Sequence, residues 1–275
     1  MANFTNIITR KGKHNGPTVA IFAGVHGNEK TGVDVLKYLE KHVELHAGCL
    51  HLVYANVPAL EKNIRFEHKN LNRLFIKGAP IESYEDAIAH ELMEILDGCD
   101  VLLDLHAYHQ PKGISTPFAI CEKNAFNVLS GVNIPFTLSG LHNFQKGSTD
   151  QYMYFSGKVG ICLELGSLQK TEEFVSLGIE ASLHMLEFYN LIESTTPRNT
   201  STDTRHLQAT QFYIKQSDSF HFRHTYKTFD YIPAGTHMAT DGDHNIVVEK
   251  DSYILFPNES THIGTEAYIL AEEIR

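Results

Sequence analysis

Residues 19–39, VAIFAGVHGNEKTGVDVLKYL, hold the junction on which the reading of the whole chain turns. The apolar run from Val19 to Ala23 has the length and composition of a buried strand. It stops in the turn Gly24 to Glu29, after which Val33, Leu36, Tyr38 and Leu39 recur near a 3.6-residue period. A strand that turns through glycines into a helix is the opening of an α/β unit, and His26 and Glu29 stand at the turn.

The same alternation continues outward. LHLVYAN reads as the next strand, ESYEDAIAHELMEILDG as a helix with Ile88, Leu92, Ile95 and Leu96 on one face and Gly98 at its end, and DVLLDLH as a strand of near-continuous apolar residues. TPFAICE, KVGICLELG and the helical EEFVSLGIEASLHMLEFYNLI follow. Strands interleaved with helices predict an α/β fold with a mixed, mostly parallel sheet flanked by helices. The polar stretch ESTTPRNTSTDT has linker composition, and beyond it QFYIKQ, FHFRHTYKTF, HNIVVEK, SYILFP and AYILAEE are short segments separated by turn residues, with no helical pattern. The expected domains are therefore 1–195 and, as a small C-terminal all-β module, 206–275.

Bulk properties narrow the function. The chain has 275 residues, 23 Lys and Arg against 33 Asp and Glu, and a formal charge of −10. No Lys/Arg cluster is dense enough to track a phosphate backbone, so nucleic acid and anionic membrane are not expected partners and a small molecule is. The start, MANFTNIITRKGKHNG, lacks the apolar core of a signal peptide, and no run of about 18 apolar residues occurs. A cytoplasmic location is the expectation. The four cysteines, Cys49, Cys99, Cys121 and Cys162, stand singly and read as reduced packing residues.

In open parallel sheets ligands bind beyond the carboxyl ends of the strands, and four residues fall there: His26 and Glu29, His106 at the end of DVLLDLH, and Glu164 near the end of KVGICLELG. An imidazole and a carboxylate three positions apart can converge on one ion at roughly 2.0 to 2.2 Å. Taken alone, the pair also reads as a helix start, with Asn28 as cap and Glu29 in the first turn. His106 adds a third ligand, and two His with one Glu make the protein set of a catalytic zinc site. Asp104, on the same side of its strand, is placed to orient an imidazole. Glu164, framed by apolar neighbours, is the candidate base for a bound water. The loop NIRFEHKNLNRLFIKG offers Arg65, Asn72 and Arg73, which suit carboxylate capture or, for Arg65, stabilisation of an oxyanion.

Together these pieces resemble the succinylglutamate desuccinylase/aspartoacylase family, itself similar to the zinc carboxypeptidases. The matching motifs, in the family's order, are Gly24-Val25-His26-Gly27-Asn28-Glu29, Arg65 followed by Asn70-Leu71-Asn72-Arg73-Leu74-Phe75, Asp104-Leu105-His106, and Leu163-Glu164-Leu165-Gly166. The resemblance implies a zinc carboxypeptidase-like fold and a zinc-dependent hydrolase that cleaves the acyl group from an N-acyl amino acid. It implies one Zn2+ per chain held by His26, Glu29 and His106, with Glu164 activating water and passing its proton to the leaving nitrogen. Arg65 would polarise the scissile carbonyl, and Asn72 with Arg73 would grip a substrate carboxylate. A homo-oligomer is compatible with it.

Two departures bear on the substrate. Aspartoacylases place an Arg ten residues before the catalytic Glu, where this chain has Tyr154, and they use a Tyr after an Asn-Glu pair, where Asn258-Glu259-Ser260-Thr261-His262 presents His262 as the substrate-binding candidate. Both point to a less acidic acyl substrate. A zinc carboxypeptidase acting on a small peptide and a non-catalytic ligand-binding relative share the same residues. The β module and the Arg65 to Arg73 loop favour the small-molecule enzyme over the peptidase, and Glu164 weighs against the binder, which needs no base.

Overall fold

The computed structural model describes residues 4–108, 115–169, 171–194, 203–260 and 262–274. In chain order the first part contains β1 (Asn6–Lys11), β2 (His14–Ala23), α1 (Lys30–His42), β3 (Ala47–Tyr54), α2 (Val57–Lys62), α3 (Tyr84–Asp97), β4 (Val101–Tyr108) and β5 (Phe118–Cys121). It continues through α4 (Phe126–Leu129), β6 (Phe136–Ser139), α5 (Thr149–Phe155), β7 (Val159–Ser167) and α6 (Glu172–Phe188). The second part is β8 (Arg205–Ile214), β9 (His221–Phe222), β10 (Tyr231–Ile232), β11 (His237–Asp241), β12 (His244–Val247), β13 (Ser252–Leu255) and β14 (Glu266–Ile274), with no helix among the described residues.

The first part forms a sheet in the order β1-β3-β2-β4-β7-β5-β6. Four of its six pairings are parallel, the outer β1 and the β5–β7 pair being antiparallel, so the sheet is mixed and mostly parallel. Period-two alternation divides its side chains between two apolar layers. Val19, Ile21, Leu103, Leu105, Ile161, Leu163 and Leu165 pack with Val35, Leu36 and Leu39 of α1 and Phe174, Met185 and Leu186 of α6. Ala20, Phe22 and Leu102 face the other way, against Ile88, Leu92 and Leu96 of α3 and Tyr152 and Met153 of α5. Each such side chain, when fully buried, contributes about 1.5–3 kcal/mol relative to exposure.

The ladder does not stop where the composition changes. β8 pairs in parallel with β6, Phe136 opposite Arg205, and the sheet continues through β14, β13 and β10, while β12-β11-β9 form a separate three-stranded antiparallel sheet. One eleven-stranded sheet thus runs through both parts of the chain. Most of the linker, residues 195–202, lies outside the described residues. Strands β1, β6, β10 and β11 are additions to the sequence reading, and FHFRHTYKTF holds strand only at His221–Phe222. No helix among the described residues is long and apolar enough to cross a membrane.

A candidate metal centre and its cavity

The three strands that carry the candidate residues, β2, β4 and β7, are adjacent at the middle of the sheet. His106 and Glu164 are direct partners in the β4–β7 pair, on the face shared with α3 and α5. Beyond β2 the chain turns at Gly24, whose φ of 72° suits glycine. It then passes so close to α2 that a Cβ on Gly27 would lie 2.1 Å from the carbonyl carbon of Ala59. The Gly27 N–H donates to the carbonyl of Arg65 at 3.2 Å, fixing that arginine beside the turn. Helix α1 starts at Lys30 with Glu29 as its cap residue but with no side-chain cap hydrogen bond. The expected Asn28 cap is not formed, and the Glu29 carboxylate is turned toward the histidines instead.

Glu29 joins the two. Its Oε1 is 2.8 Å from His26 Nδ1 and its Oε2 is 2.9 Å from His106 Nδ1, while the Ala107 N–H and an Arg65 guanidinium N–H also donate to it at 3.0 and 3.1 Å. All three ligand candidates are buried, and their donor atoms lie within 4.8 Å of one another. The other ring nitrogens are tied outward. His106 Nε2 faces Asp104 Oδ2 at 2.9 Å, and His26 Nε2 faces Asn70 Oδ1 at 2.9 Å. Asn70 Oδ1 also accepts from the Asn72 N–H at 3.1 Å, and Asp104 Oδ2 from the Thr149 hydroxyl at 2.6 Å, so both positions are acceptors and each Nε2 is placed to donate.

That bonding tests whether an ion fits. With Nε2 protonated, each neutral imidazole aims its Nδ1 lone pair at a Glu29 oxygen, and three Lewis bases converge on one point. Such a meeting requires positive charge at its centre, either a proton or a metal cation. Burial opposes charge on both histidines; on His26 it prevails and lowers the pKa, whereas on His106 the carboxylates of Asp104 and Glu29 outweigh it and raise the pKa well above the ordinary value. Burial also works against ionised Glu29, but the two histidines hold its carboxyl well below the usual range. A proton on His106 stands in for the cation, and the donor set fits a divalent ion that would displace it.

Glu164 is buried, and among the described residues its Oε2 has no hydrogen-bond partner. Burial lifts its carboxyl from 4.5 to about 7, with His106 and Arg65 pulling down and Glu29 pushing up. It borders a cavity of about 310 Å³ together with His26, Glu29, Arg65, Asn72, Arg73 and His106. Of the sequence-derived candidates for contact with an ion, water or substrate, all but His262 therefore line a single cavity, and Asp104 stands behind His106 rather than in the lining. His262 is exposed and is not among the lining residues; its segment contributes Asn258, while Phe256 enters from just after β13.

The loop bearing Asn72 and Arg73 is anchored in the apolar layer beneath it. Leu71 and Phe75 are buried in the α3 layer, Asn72 is buried, and its Oδ1 accepts from the Thr149 N–H at 3.0 Å. Asp150, Gln151, Gln145, Cys162 and Glu266 complete much of the lining. Burial, only partly offset by hydrogen bonding from Ser148, lifts the Asp150 carboxyl to about 6. Cys162, read from sequence as packing alone, has its thiol pushed up by burial despite the nearby His106. Asn70 lies within a motif that the sequence displayed. Thr149 and Asp150 carry no comparable signal, standing as ordinary residues at the start of a short helix.

Residues 15–185 match the succinylglutamate desuccinylase/aspartoacylase catalytic domain, and residues 204–274 match the AstE/AspA barrel-sandwich hybrid domain. The chain belongs to the succinylglutamate desuccinylase/aspartoacylase family. Among its relatives is a succinylglutamate desuccinylase of Photorhabdus laumondii, 23% identical over 92% of this chain and 85% of that one. A probable aspartoacylase of Nostoc is 28% identical over 62% of this chain and 65% of that protein. The fold is shared with the succinylglutamate desuccinylase of Vibrio cholerae, at a TM-score of 0.81, 20% identity, and coverage of 97% of this chain and 85% of that one. It is also shared with the ectoine utilization protein EutE (DoeB) of Ruegeria pomeroyi, with TM-score 0.74, 20% identity and coverage of 96% and 88%. Tyr154, read from the sequence as a departure from the aspartoacylase pattern, is not among the cavity-lining residues.

Proposed function

We propose that this protein is a zinc-dependent amidohydrolase that removes the acyl group from an N-acyl amino acid. The observation that carries the reading is the convergence of His26 Nδ1, Glu29 and His106 Nδ1 beside the buried Glu164 carboxyl, whose Oε2 has no partner among the described residues, at the carboxyl ends of neighbouring strands. Family membership and the names of the relatives, desuccinylase and aspartoacylase, support deacylation as the reaction. A His-His-Glu set with an open position is that of catalytic zinc, and zinc bound there would supply Lewis-acid polarisation and a more acidic water.

The chain's own groups complete the reaction. Glu164, buried beside the ligand set, takes a proton from water as the water oxygen bonds to the amide carbon, and delivers that proton to the nitrogen as the C–N bond breaks. The products are a carboxylate and a free amine. Arg65, beside Glu29, donates to the carbonyl oxygen as negative charge develops there. Asn72 and Arg73 receive the α-carboxylate of the amino acid. Asp104, held by Thr149, and Asn70, held by the Asn72 N–H, fix the two imidazoles in the tautomer that leaves Nδ1 free. The cavity volume falls at the small end of small-molecule sites, which favours an acyl amino acid over a longer peptide.

The test is elemental analysis of the purified protein followed by assay, with added zinc, of N-acetyl and N-succinyl amino acids. Near-stoichiometric zinc with hydrolysis of at least one of them is expected. Zinc bound without hydrolysis of any would replace the enzyme with a binding protein.

A further inference from the structure

The charge around the cavity speaks to which amino acid it takes. Its described lining residues include two arginines, Arg65 and Arg73, and no lysine, against four carboxylates, Glu29, Asp150, Glu164 and Glu266. A divalent ion at the histidines brings these into balance. Arg65 is already committed to Glu29 at 3.1 Å. Arg73 lies in the field of both Glu266 and Asp150, and one of its guanidinium nitrogens donates to the Asn72 carbonyl at 2.6 Å. The overall balance is uneven in space: the surplus positive charge would lie at the histidines, and beside Arg73 one arginine faces two carboxylates.

Hydrogen-bonding capacity leans the same way. Gln151, buried beside Asp150 on α5, has its side-chain oxygen without a donor among the described residues, while Gln145 supplies one N–H to Glu266 at 3.0 Å. Among the described residues the donors of this wall other than Arg73 are neutral, the Ser148 hydroxyl and the two glutamine amides, and they face two carboxylates. An N-acyl dicarboxylic amino acid would press its second carboxylate against it, with Tyr154 outside the lining in place of an arginine. Burying that charge unpaired would cost several kcal/mol. An ammonium group brings three donors and the missing charge.

Resting on the deacylase reading above, we propose that the substrate is a zwitterionic N-acyl amino acid, whose side chain ends in an amine received by Asp150, Glu266 and Gln151. These three residues determine specificity: they select the cationic side chain and turn away the dicarboxylic one, and take no part in bond cleavage.

The experiment compares kcat/KM of the zinc-loaded protein for Nα-acetylornithine, Nα-acetylnorvaline and N-acetylglutamate, which differ chiefly in the charge at the end of the side chain. The ornithine derivative is expected to exceed the glutamate derivative by about tenfold or more, equivalent to about 1.4 kcal/mol. Separate Asp150→Asn and Glu266→Gln variants should each lose about tenfold on the ornithine derivative, mainly through KM, with less than about threefold change on the norvaline derivative. A preference for the glutamate or norvaline derivative overturns the proposal while leaving the deacylase reading intact. So would variants that slow all three substrates alike, because that pattern belongs to residues that merely hold Arg73 in place. Failure to hydrolyse any of the three, or any other N-acyl amino acid, overturns the deacylase reading and this proposal with it.

Discussion

The two faces of β2, β4 and β7 are built from the same strands and differ in almost everything else. Toward α1 and α6 the strands offer Ile21, Leu103, Leu105, Ile161, Leu163 and Leu165, an unbroken apolar layer. Toward α3 and α5, β4 and β7 offer Asp104, His106, Cys162 and Glu164 near their carboxyl ends, each next in sequence to a residue of the opposite layer. Buried charge on the second face is held by contacts from elsewhere: Thr149 on Asp104, Glu29 on His106, and the Ala107 N–H on Glu29. The contrast teaches that one residue of displacement along a strand separates a side chain that stabilises from one that does chemistry. The first face supplies the packed layer behind the second, on which Glu164 Oε2 has no hydrogen-bond partner among the described residues.

Substitutions at adjacent positions can break that comparison. The largest effect is expected from His106→Ala, which removes one ligand and leaves Asp104 without its imidazole; bound zinc should fall from about one per chain to near none by elemental analysis, and hydrolysis with it. Glu164→Gln should keep the ion yet lower kcat by about 10²–10⁴-fold, the range for a general base; a variant with near-normal kcat would remove Glu164 from that role. Leu163→Ala, one residue away, should reverse the pattern. It opens a cavity in the apolar layer and should lower unfolding free energy by about 2–5 kcal/mol, read from urea midpoints, with kcat of the folded fraction little altered. If Leu163→Ala instead abolished turnover at unchanged stability, the division of labour between the faces would be wrong.

How much of this was legible in the sequence follows from where each residue gets its surroundings. His26, Glu29, His106 and Glu164 stood out because each interrupts or ends a strongly apolar run, and a polar residue there has few structural reasons to exist. The sheet order was open to inference as a class, since helices alternate with strands through residue 188. The remainder depends on contacts between distant segments. Asn70 reaches His26 across 44 positions and Thr149 reaches Asp104 across 45, and neither carries a periodic signal. The four residues of β6 are too few to show alternation, so its pairing with β8, and hence the continuity of the sheet past the linker, was hidden. Asn72 looked solvated because its neighbours are charged, whereas Leu71 and Phe75 pull the loop into the α3 layer. His262 was placed by its distance from an Asn-Glu pair alone, and the backbone turn at Thr265 leaves it exposed.

The smallest expected effect sharpens the comparison most, because it distinguishes the faces by pH alone. In ion-free protein the Glu164 carboxyl titrates near 7 against an ordinary 4.5, chiefly because burial penalises its charge. Between those values the native state keeps a proton that the unfolded chain has released, so native stability falls as pH rises through the window; the contribution is intact below about 4.5 and lost above about 7. Glu164→Gln has no proton to lose. With chelator present, it should match the parent at pH 4.5 and exceed it by about 2–3 kcal/mol at pH 8, measured by urea unfolding at each pH. Leu163→Ala, facing the apolar layer, should show a deficit that does not vary across the same window. Added zinc should shrink the advantage of Glu164→Gln, since a nearby cation favours the ionised carboxylate that glutamine cannot supply. A difference between parent and Glu164→Gln that stayed flat from pH 4.5 to 8 would mean that Glu164 titrates like an exposed carboxylate, and the two faces would then differ in composition without differing in electrostatics.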